Sequence, residues 1–91
     1  MSFRIIPMTA DHVSQVAALE QVCFPADPWS GELFRAALEN PRVCPLLAQG
    51  EDGGVLGYAV LSVVLDEGSL DNIAVSPDVR RNGVADALLS A

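Results

Sequence analysis

The residues best suited to bind an anion lie close together near the end of this 91-residue sequence. An apolar segment ending Ile73-Ala74-Val75 leads through a polar stretch to Arg80-Arg81-Asn82-Gly83-Val84-Ala85, where a helical pattern begins. The first turn of a helix exposes unpaired N–H groups and a partial positive charge, and both attract anions. Gly83 has no Cβ and Ala85 is nearly as small, so a phosphate could approach the main chain here.

This segment is not one of the familiar nucleotide-binding motifs. A P-loop needs Gly-Lys-Ser or Gly-Lys-Thr, and a dinucleotide fingerprint needs three spaced glycines. One glycine before a helix is also typical of an ordinary turn with a left-handed backbone conformation. The segment alone therefore leaves both interpretations open.

The strand before this segment has an irregular apolar pattern. Its apolar residues are Leu70, Ile73 and Val75, so the two-residue alternation slips by one position after Leu70. A β-bulge at Asp71-Asn72 explains the slip, and a poorly patterned edge strand is the alternative. A bulge bends the strand away from its neighbour. Main-chain groups of Ile73, Ala74 and Val75 would then be free to bind an amide-bearing ligand whose phosphates reach Gly83.

The elements that would position these residues follow from periodicity and from turn signals. Pro45 predicts that its strand lies at an edge or that the strand begins there, and Asp66-Glu67-Gly68 predicts a turn. We expect an α/β fold with the order β-α-α-β-β-β-α and a mostly antiparallel mixed sheet. The predicted elements are a strand at 3–6, a helix from Thr9 to about 22, a helix capped by Ser30 and ended by Asn40-Pro41, strands at 43–50, 55–65 and 70–75, and a helix starting near Gly83.

The end of the sequence predicts that residues 1–91 are a partial domain. Ala87, Leu88 and Leu89 open an apolar face with nothing after it to pack against, and the last strand would keep one free edge. We therefore expect the chain to be the first part of a larger α/β domain.

Composition excludes several classes of protein. The chain has 5 basic and 12 acidic residues, a net charge of −7, and five acids without a base between Glu51 and Asp71. Such a surface repels nucleic acid and either attracts a cationic partner or simply stays solvated. The longest apolar run, residues 55–65, is far shorter than the ~20 residues that a membrane span requires. No signal peptide is evident, so we expect a cytoplasmic protein without a membrane partner.

The two cysteines, Cys23 and Cys44, are too few and too far apart for a zinc site. In a reducing compartment we expect buried thiols rather than a disulfide, and we expect no metal.

Arg80-x-x-Gly83-x-Ala85 after Ile73-Ala74-Val75 resembles the acetyl-CoA-binding motif, (Gln/Arg)-x-x-Gly-x-(Gly/Ala), of the GNAT N-acetyltransferase superfamily. The predicted element order is also that of the superfamily's first half. Phe24-Pro25-x-x-Pro28-Trp29-Ser30 and the segment 63–89 look like the RimI family of ribosomal-protein-alanine N-acetyltransferases. The similarity covers essentially all 91 residues.

The resemblance implies a set of site residues. Ile73, Ala74 and Val75 would bind the acetyl and pantetheine portion of acetyl-CoA through their main chain. The pyrophosphate would bind at Arg80, Arg81, Asn82, Gly83, Val84, Ala85 and Asp86, mainly through amides. Phe24, Pro28 and Trp29 would shape the acceptor site, although Trp29 could equally anchor the second helix. The glutamate base and tyrosine acid of the family have no counterpart in these residues, so we name no catalytic acid or base.

The implied activity is transfer of acetyl from acetyl-CoA to the N-terminal α-amine of a protein, with the alanine of a ribosomal protein as the expected acceptor. An α-amine of pKa about 7.7–8.0 is roughly 10–20% neutral at pH 7, whereas a lysine is about 0.04% neutral. Two alternatives remain, which are a GNAT enzyme acting on a small amine and an inactive CoA-binding half-domain. We expect residues 1–91 alone to be catalytically inactive.

Overall fold

The computed structural model describes residues 2–64, 67–80 and 82–90. The strands are β1 (Phe3–Pro7), β2 (Val43–Gly50), β3 (Val55–Val64) and β4 (Glu67–Val75). The helices are α1 (Val13–Cys23), α2 (Gly31–Glu39) and α3 (Val84–Ser90), with single 3-10 turns at Ala10–His12 and Pro77–Val79. The predicted order β-α-α-β-β-β-α is confirmed.

The four described strands form one antiparallel sheet in the order β1-β2-β3-β4. Glu67 and Gly68 pair with Val64 and Val63, so they begin β4 and do not form the predicted turn. The rest of that prediction, at Asp66, lies outside the described residues. Within the described part of the chain, β4 is an edge strand, and its outer side is where the candidate site lies.

The sheet separates two apolar clusters, one on each face. Tyr58 and Val60 of β3 pack with α1 and α2, whereas Ala59 between them packs with α3. Strand β3 is therefore buried on both faces at Tyr58–Val60. Helix α3 is held by Val84 and Leu88, which are both essentially fully buried. Leu88 packs on the second face of the sheet, which precedes it in the chain, whereas Leu89 of the same predicted apolar face is 51% exposed.

The helix boundaries follow from local hydrogen bonds. The Ser30 hydroxyl accepts a bond from the Leu33 amide at 3.2 Å and so caps α2. At the other end Asn40 leaves the helix, and its side chain accepts from the Arg42 amide at 3.0 Å. None of the described helices is both long and apolar enough to cross a membrane.

For β2, the edge alternative at Pro45 and the burial of Cys44 were wrong. The strand is interior, and Pro45 is its third residue, so of the two predicted alternatives only a position near the strand start holds. The Pro45 carbonyl accepts from the Met8 amide just beyond the end of β1, so the missing N–H faces the point where that pairing stops. Cys44 is exposed, because it lies on the face that α3 covers only further along, at Ala48. Both cysteines are free thiols.

We expect Gly57→Ala to lower the free energy of unfolding by about 1–3 kcal/mol. A Cβ at this position would lie 2.9 Å from the Ala74 carbonyl oxygen and 3.1 Å from Val84 Cγ1, so β4 and α3 would both have to shift. Urea denaturation measures the change. Gly68→Ala is the matched control, since a Cβ added there would meet nothing within 4 Å. Equal midpoints for the two variants would contradict the described packing of β3 against β4.

Candidate functional site

A β-bulge interrupts the pairing of β3 and β4. Val60 pairs with Asn72 but Leu61 pairs with Leu70, so Asp71 is the extra residue on β4. The bulge predicted at Asp71-Asn72 is confirmed. The Asp71 carboxylate accepts a bond from the Ser62 hydroxyl at 3.1 Å, which fixes the extra residue to the neighbouring strand.

Beyond the bulge, the main chain of β4 alternates between its partner strand and the open edge. The Ser76 amide donates to the Leu56 carbonyl at 2.8 Å, so Ser76 and Ala74 direct their main-chain groups toward β3. Ile73 and Val75 therefore direct theirs away from the sheet. The main chain of Ala74 pairs with that of Tyr58, so it is not free to bind a ligand as the sequence predicted. Ala74 still lines a cleft beside this edge of the sheet.

Two side chains already reach the outward carbonyl of Val75. Arg80 Nε donates to it at 3.2 Å, and Cys23 Sγ donates to it at 3.6 Å. The Arg80 guanidinium also lies 3.8 Å from Cys23 Sγ. These contacts hold the positive charge of Arg80 beside the end of β4.

Gly83 makes the turn into α3 with φ +80°. A Cβ at this position would meet nothing within 4 Å, so the residue faces open space. Within residues 82–90, the first helical bond runs from the Ala87 amide to the Gly83 carbonyl at 3.0 Å. Among the described residues, no side chain caps the amides of Gly83–Asp86. Both interpretations of this turn remain physically consistent, because the left-handed conformation and the open amides occur together.

Two adjacent clefts lie along this edge of the sheet. The α3 cleft, about 240 Å³, and the β4 cleft, about 330 Å³, share Val75, Arg80 and Ala85. The α3 cleft is lined by Val75, Arg80, Gly83, Val84, Ala85 and Asp86, and the β4 cleft by Cys23, Phe24, Ile73, Ala74, Val75, Arg80 and Ala85. Asn82 lines neither and instead donates its side-chain amide to the Val79 carbonyl at 3.1 Å. Arg81 lies outside the described residues.

A third cleft, the loop cleft, lies against the α1–α2 loop (residues 24–30). It encloses about 360 Å³ and shares Phe24 with the β4 cleft. Its lining residues are Glu20, Phe24, Pro25, Ala26, Asp27, Trp29 and Asn72. Of the three predicted acceptor residues, Phe24 and Trp29 are brought together here, and Pro28 is not among the lining residues. Trp29 fits both of its predicted roles, since its ring also packs 5.3 Å from Phe34.

Sequence reasoning missed Glu20, which is only 2% exposed. One carboxylate oxygen accepts bonds from the Tyr58 hydroxyl and from Asn72 Nδ2, the latter at 2.8 Å. The other oxygen accepts from the Trp29 amide at 2.9 Å. A signal was present, because Glu20 occupies a position on the apolar stripe of α1, between Val16 and Cys23.

We expect the single tyrosine of this chain to remain protonated in strongly alkaline solution. Burial, and then the bond to the Glu20 carboxylate, raise the pKa of Tyr58 far above its ordinary value of 10.0. Because the pKa of Tyr58 is raised only in the folded state, its contribution to the free energy of unfolding is complete below pH 10. That contribution is lost as the pH rises beyond 10. Ultraviolet absorbance of tyrosinate should therefore appear only together with unfolding, and tyrosinate forming near pH 10 in folded protein would contradict this geometry.

Comparison with known proteins agrees with this architecture. Residues 13–91 match the model of the acetyltransferase (GNAT) family. The [ribosomal protein bS18]-alanine N-acetyltransferase of Escherichia coli (strain K12) is 41% identical over 64 residues, which is 70% of this chain and 42% of that protein. A putative enzyme of the same name from Bacillus subtilis (strain 168) is 29% identical over 82 residues, 89% of this chain and 53% of that protein. The chain thus spans about half the length of these curated relatives or less.

Solved structures show the same fold. The crystal structure of the Escherichia coli ribosomal-protein-S18-alanine N-acetyltransferase superposes with a TM-score of 0.83 at 31% identity, covering 98% of this chain and 56% of that chain. AAC(6′)-Iy, solved with the bisubstrate analogue CoA-S-monomethyl-acetylneamine, gives a TM-score of 0.82 at 23% identity, over 99% of this chain and 68% of that chain. The resemblance predicted from the motif is confirmed: the chain belongs to the GNAT acetyltransferase family.

Proposed function

We propose that this chain binds acetyl-CoA and is part of an N-acetyltransferase. The enzyme acetylates the N-terminal α-amine of a protein, namely the alanine of a ribosomal protein. The observation that carries the proposal is the pair of adjacent α3 and β4 clefts, one beside the turn at Gly83 and the other beside the outward main chain of Ile73 and Val75, with three lining residues in common. This arrangement occurs in a chain of the GNAT family. The reaction belongs to the cytosol in this proposal.

The α3 cleft fits the pyrophosphate of the coenzyme. Amides of residues 82–86, together with Arg81, would donate to its oxygens, and each charge-assisted bond contributes about 1.5–3 kcal/mol. A chain with a net charge of −7 still admits this anion, because Arg80 lies in both clefts and salt screens distant acids over about 8 Å. The small side chain of Ala85 leaves room at the junction of the two clefts.

The β4 cleft fits the pantetheine arm and the thioester. The outward N–H and C=O groups of Ile73 would pair with the amides of pantetheine as a further strand would. The neutral acceptor amine attacks the thioester carbonyl, the C–S bond breaks, and CoA leaves as the thiol once the amine has given up its proton. The Val75 N–H would stabilise the oxyanion, a role commonly worth about 2.7–4 kcal/mol.

The loop cleft fits the acceptor end of a peptide. Asp27 gives it negative charge, which attracts an N-terminal ammonium, and Pro25 and Ala26 give it an apolar wall suited to a small side chain. The relatives named for alanine N-acetylation support the same acceptor. No general acid or base is assigned among residues 1–91, and we propose that these residues form a partial GNAT domain.

An acetyl-transfer assay tests the acceptor. The enzyme is a chimera in which residues 1–91 replace the matching part of the Escherichia coli relative, and the substrates are a ribosomal peptide starting with alanine, a lysine peptide and a polyamine. We expect the alanine peptide to have the highest kcat/KM, because its amine is neutral far more often than that of lysine. A higher kcat/KM for the polyamine would instead indicate that the acceptor is a small amine. Coenzyme binding without transfer to any of the three substrates would contradict the proposed acetyltransferase role and favour a chain that only binds CoA.

A further inference from the structure

One buried carboxylate joins three separate segments beside the loop cleft. Glu20 lies in α1, and its two oxygens accept from Tyr58 in β3, Asn72 at the β4 bulge and the main-chain amide of Trp29 in the α1–α2 loop. Two of these partners, Trp29 and Asn72, line the loop cleft together with Glu20 itself. The residues that form this cleft are therefore bonded to one another through a single side chain.

Burying a carboxylate at this position is energetically unfavourable. It occupies the apolar stripe of α1, where Val13 and Val16 are fully buried, and an apolar side chain would pack there without losing hydration. Buried charged side chains often add little to the free energy of unfolding compared with apolar side chains of similar volume. The chemistry of Glu20 thus points to fixing neighbouring groups in place.

The same part of α1 also contacts the thioester end of the proposed coenzyme site. Cys23, three residues after Glu20, donates to the Val75 carbonyl at 3.6 Å. Glu20 therefore bonds to the α1–α2 loop and to the bulge, and Cys23, on the same helix, bonds to the end of β4. The spacing between the loop cleft and the β4 cleft depends on this one helical segment.

We propose that Glu20 is a positioning residue for the acceptor: it fixes the α1–α2 loop to the β4 bulge so that the incoming amine meets the thioester. This inference rests on the proposed function for its acceptor, and on the described bonds for its geometry. Glutamine cannot replace the carboxylate fully, because it offers one acceptor oxygen and one donor nitrogen to three donors. Because two donors, Tyr58 and Asn72, converge on one oxygen of Glu20, the single oxygen of glutamine stays with them, and the Trp29 amide loses its acceptor in Glu20→Gln.

Fluorescence of Trp29, the single tryptophan of the chain, tests the geometry without any ligand. In the 91-residue chain, we expect Glu20→Gln to increase acrylamide quenching of Trp29 at least about twofold under conditions where circular dichroism shows folded protein. Tyr58→Phe keeps the bond to the Trp29 amide and should leave quenching unchanged. Glu39→Gln, an exposed charge-matched variant on α2, is the second control. Quenching of Glu20→Gln equal to the wild type would overturn the proposal.

Acceptor binding tests the functional consequence. With free CoA saturating, an alanine-starting peptide is titrated while Trp29 emission is recorded, and CoA affinity is measured separately by calorimetry. We expect Glu20→Gln to weaken peptide binding about tenfold, the size of one lost hydrogen bond to a charged group, and to change CoA affinity less than about twofold. Parallel loss of both affinities would mean general structural damage and would overturn the positioning role.

Two further outcomes are informative. If wild-type protein binds no CoA, the proposed function fails, while the quenching comparison still decides the geometry. If Glu20→Gln does not fold, Asn72→Ala tests the same connection from β4, because Asn72 is only half-buried. Weaker peptide binding with retained CoA affinity supports the proposal in that variant, and unchanged peptide binding overturns it.

Discussion

Phe34→Ala is expected to remove about 3–5 kcal/mol from the free energy of unfolding. The Phe34 ring is fully buried, lies 5.3 Å from the Trp29 ring and meets Tyr58 edge-on at 5.5 Å. A 91-residue domain has a stability of roughly 5–14 kcal/mol, so the loss takes a large part of the total. Urea denaturation followed by circular dichroism measures it.

Phe24→Ala is the matched control for that prediction. Phe24 is 40% exposed on the α1–α2 loop, so removing its ring costs much less buried area. We expect its denaturation midpoint to stay close to that of the wild type. Similar losses for the two phenylalanines would mean that the core beneath α2 is not packed as described.

Gly83→Ala is expected to weaken acetyl-CoA binding about 10- to 100-fold. Alanine at φ +80° is strained by about 1–2 kcal/mol, and relief of the strain rotates the amides that face the α3 cleft. Losing one such charge-assisted bond costs about 1.5–3 kcal/mol, which corresponds to that range of affinity. Calorimetric titration with acetyl-CoA measures the change.

Gly53→Ala separates this binding effect from backbone strain. Gly53 has a similar φ of +86° and equally open surroundings, but it lies in the β2–β3 hairpin away from the clefts. We expect the two variants to lose similar thermal stability and only Gly83→Ala to lose affinity. If both variants bind acetyl-CoA as the wild type does, Gly83 serves only the turn into α3.

Local patterns in the sequence were sufficient to predict the elements around the site. The phase slip after Leu70 predicted the bulge, because strand alternation is a property of neighbouring residues. The Ser30 cap predicted the start of α2 for the same reason. Residues 73–86 could be assigned to one site because a single strand, turn and helix contain them all.

What could not be predicted depends on residues far apart in the chain. Glu20 is joined to partners 38 and 52 positions away, and no local pattern predicts those contacts. Pro45 predicted an edge or a strand start, and the choice between them could not be made because the sequence does not reveal that β1 ends opposite it. Cys44 was predicted to be buried because its exposure depends on how far α3 extends across the sheet.

The most direct test follows the main-chain amides of the isotope-labelled chain by NMR while CoA is added. We expect saturable shifts of the Gly83–Asp86 amides and of the Ile73 and Val75 amides, with the β2–β3 hairpin at residues 50–54 unchanged. Pantetheine, which carries no phosphate, should shift only the Ile73 and Val75 amides of β4. Binding that leaves the amides of Gly83–Asp86 unshifted, or an absence of binding at millimolar CoA, would contradict the claim that this turn holds the coenzyme's pyrophosphate.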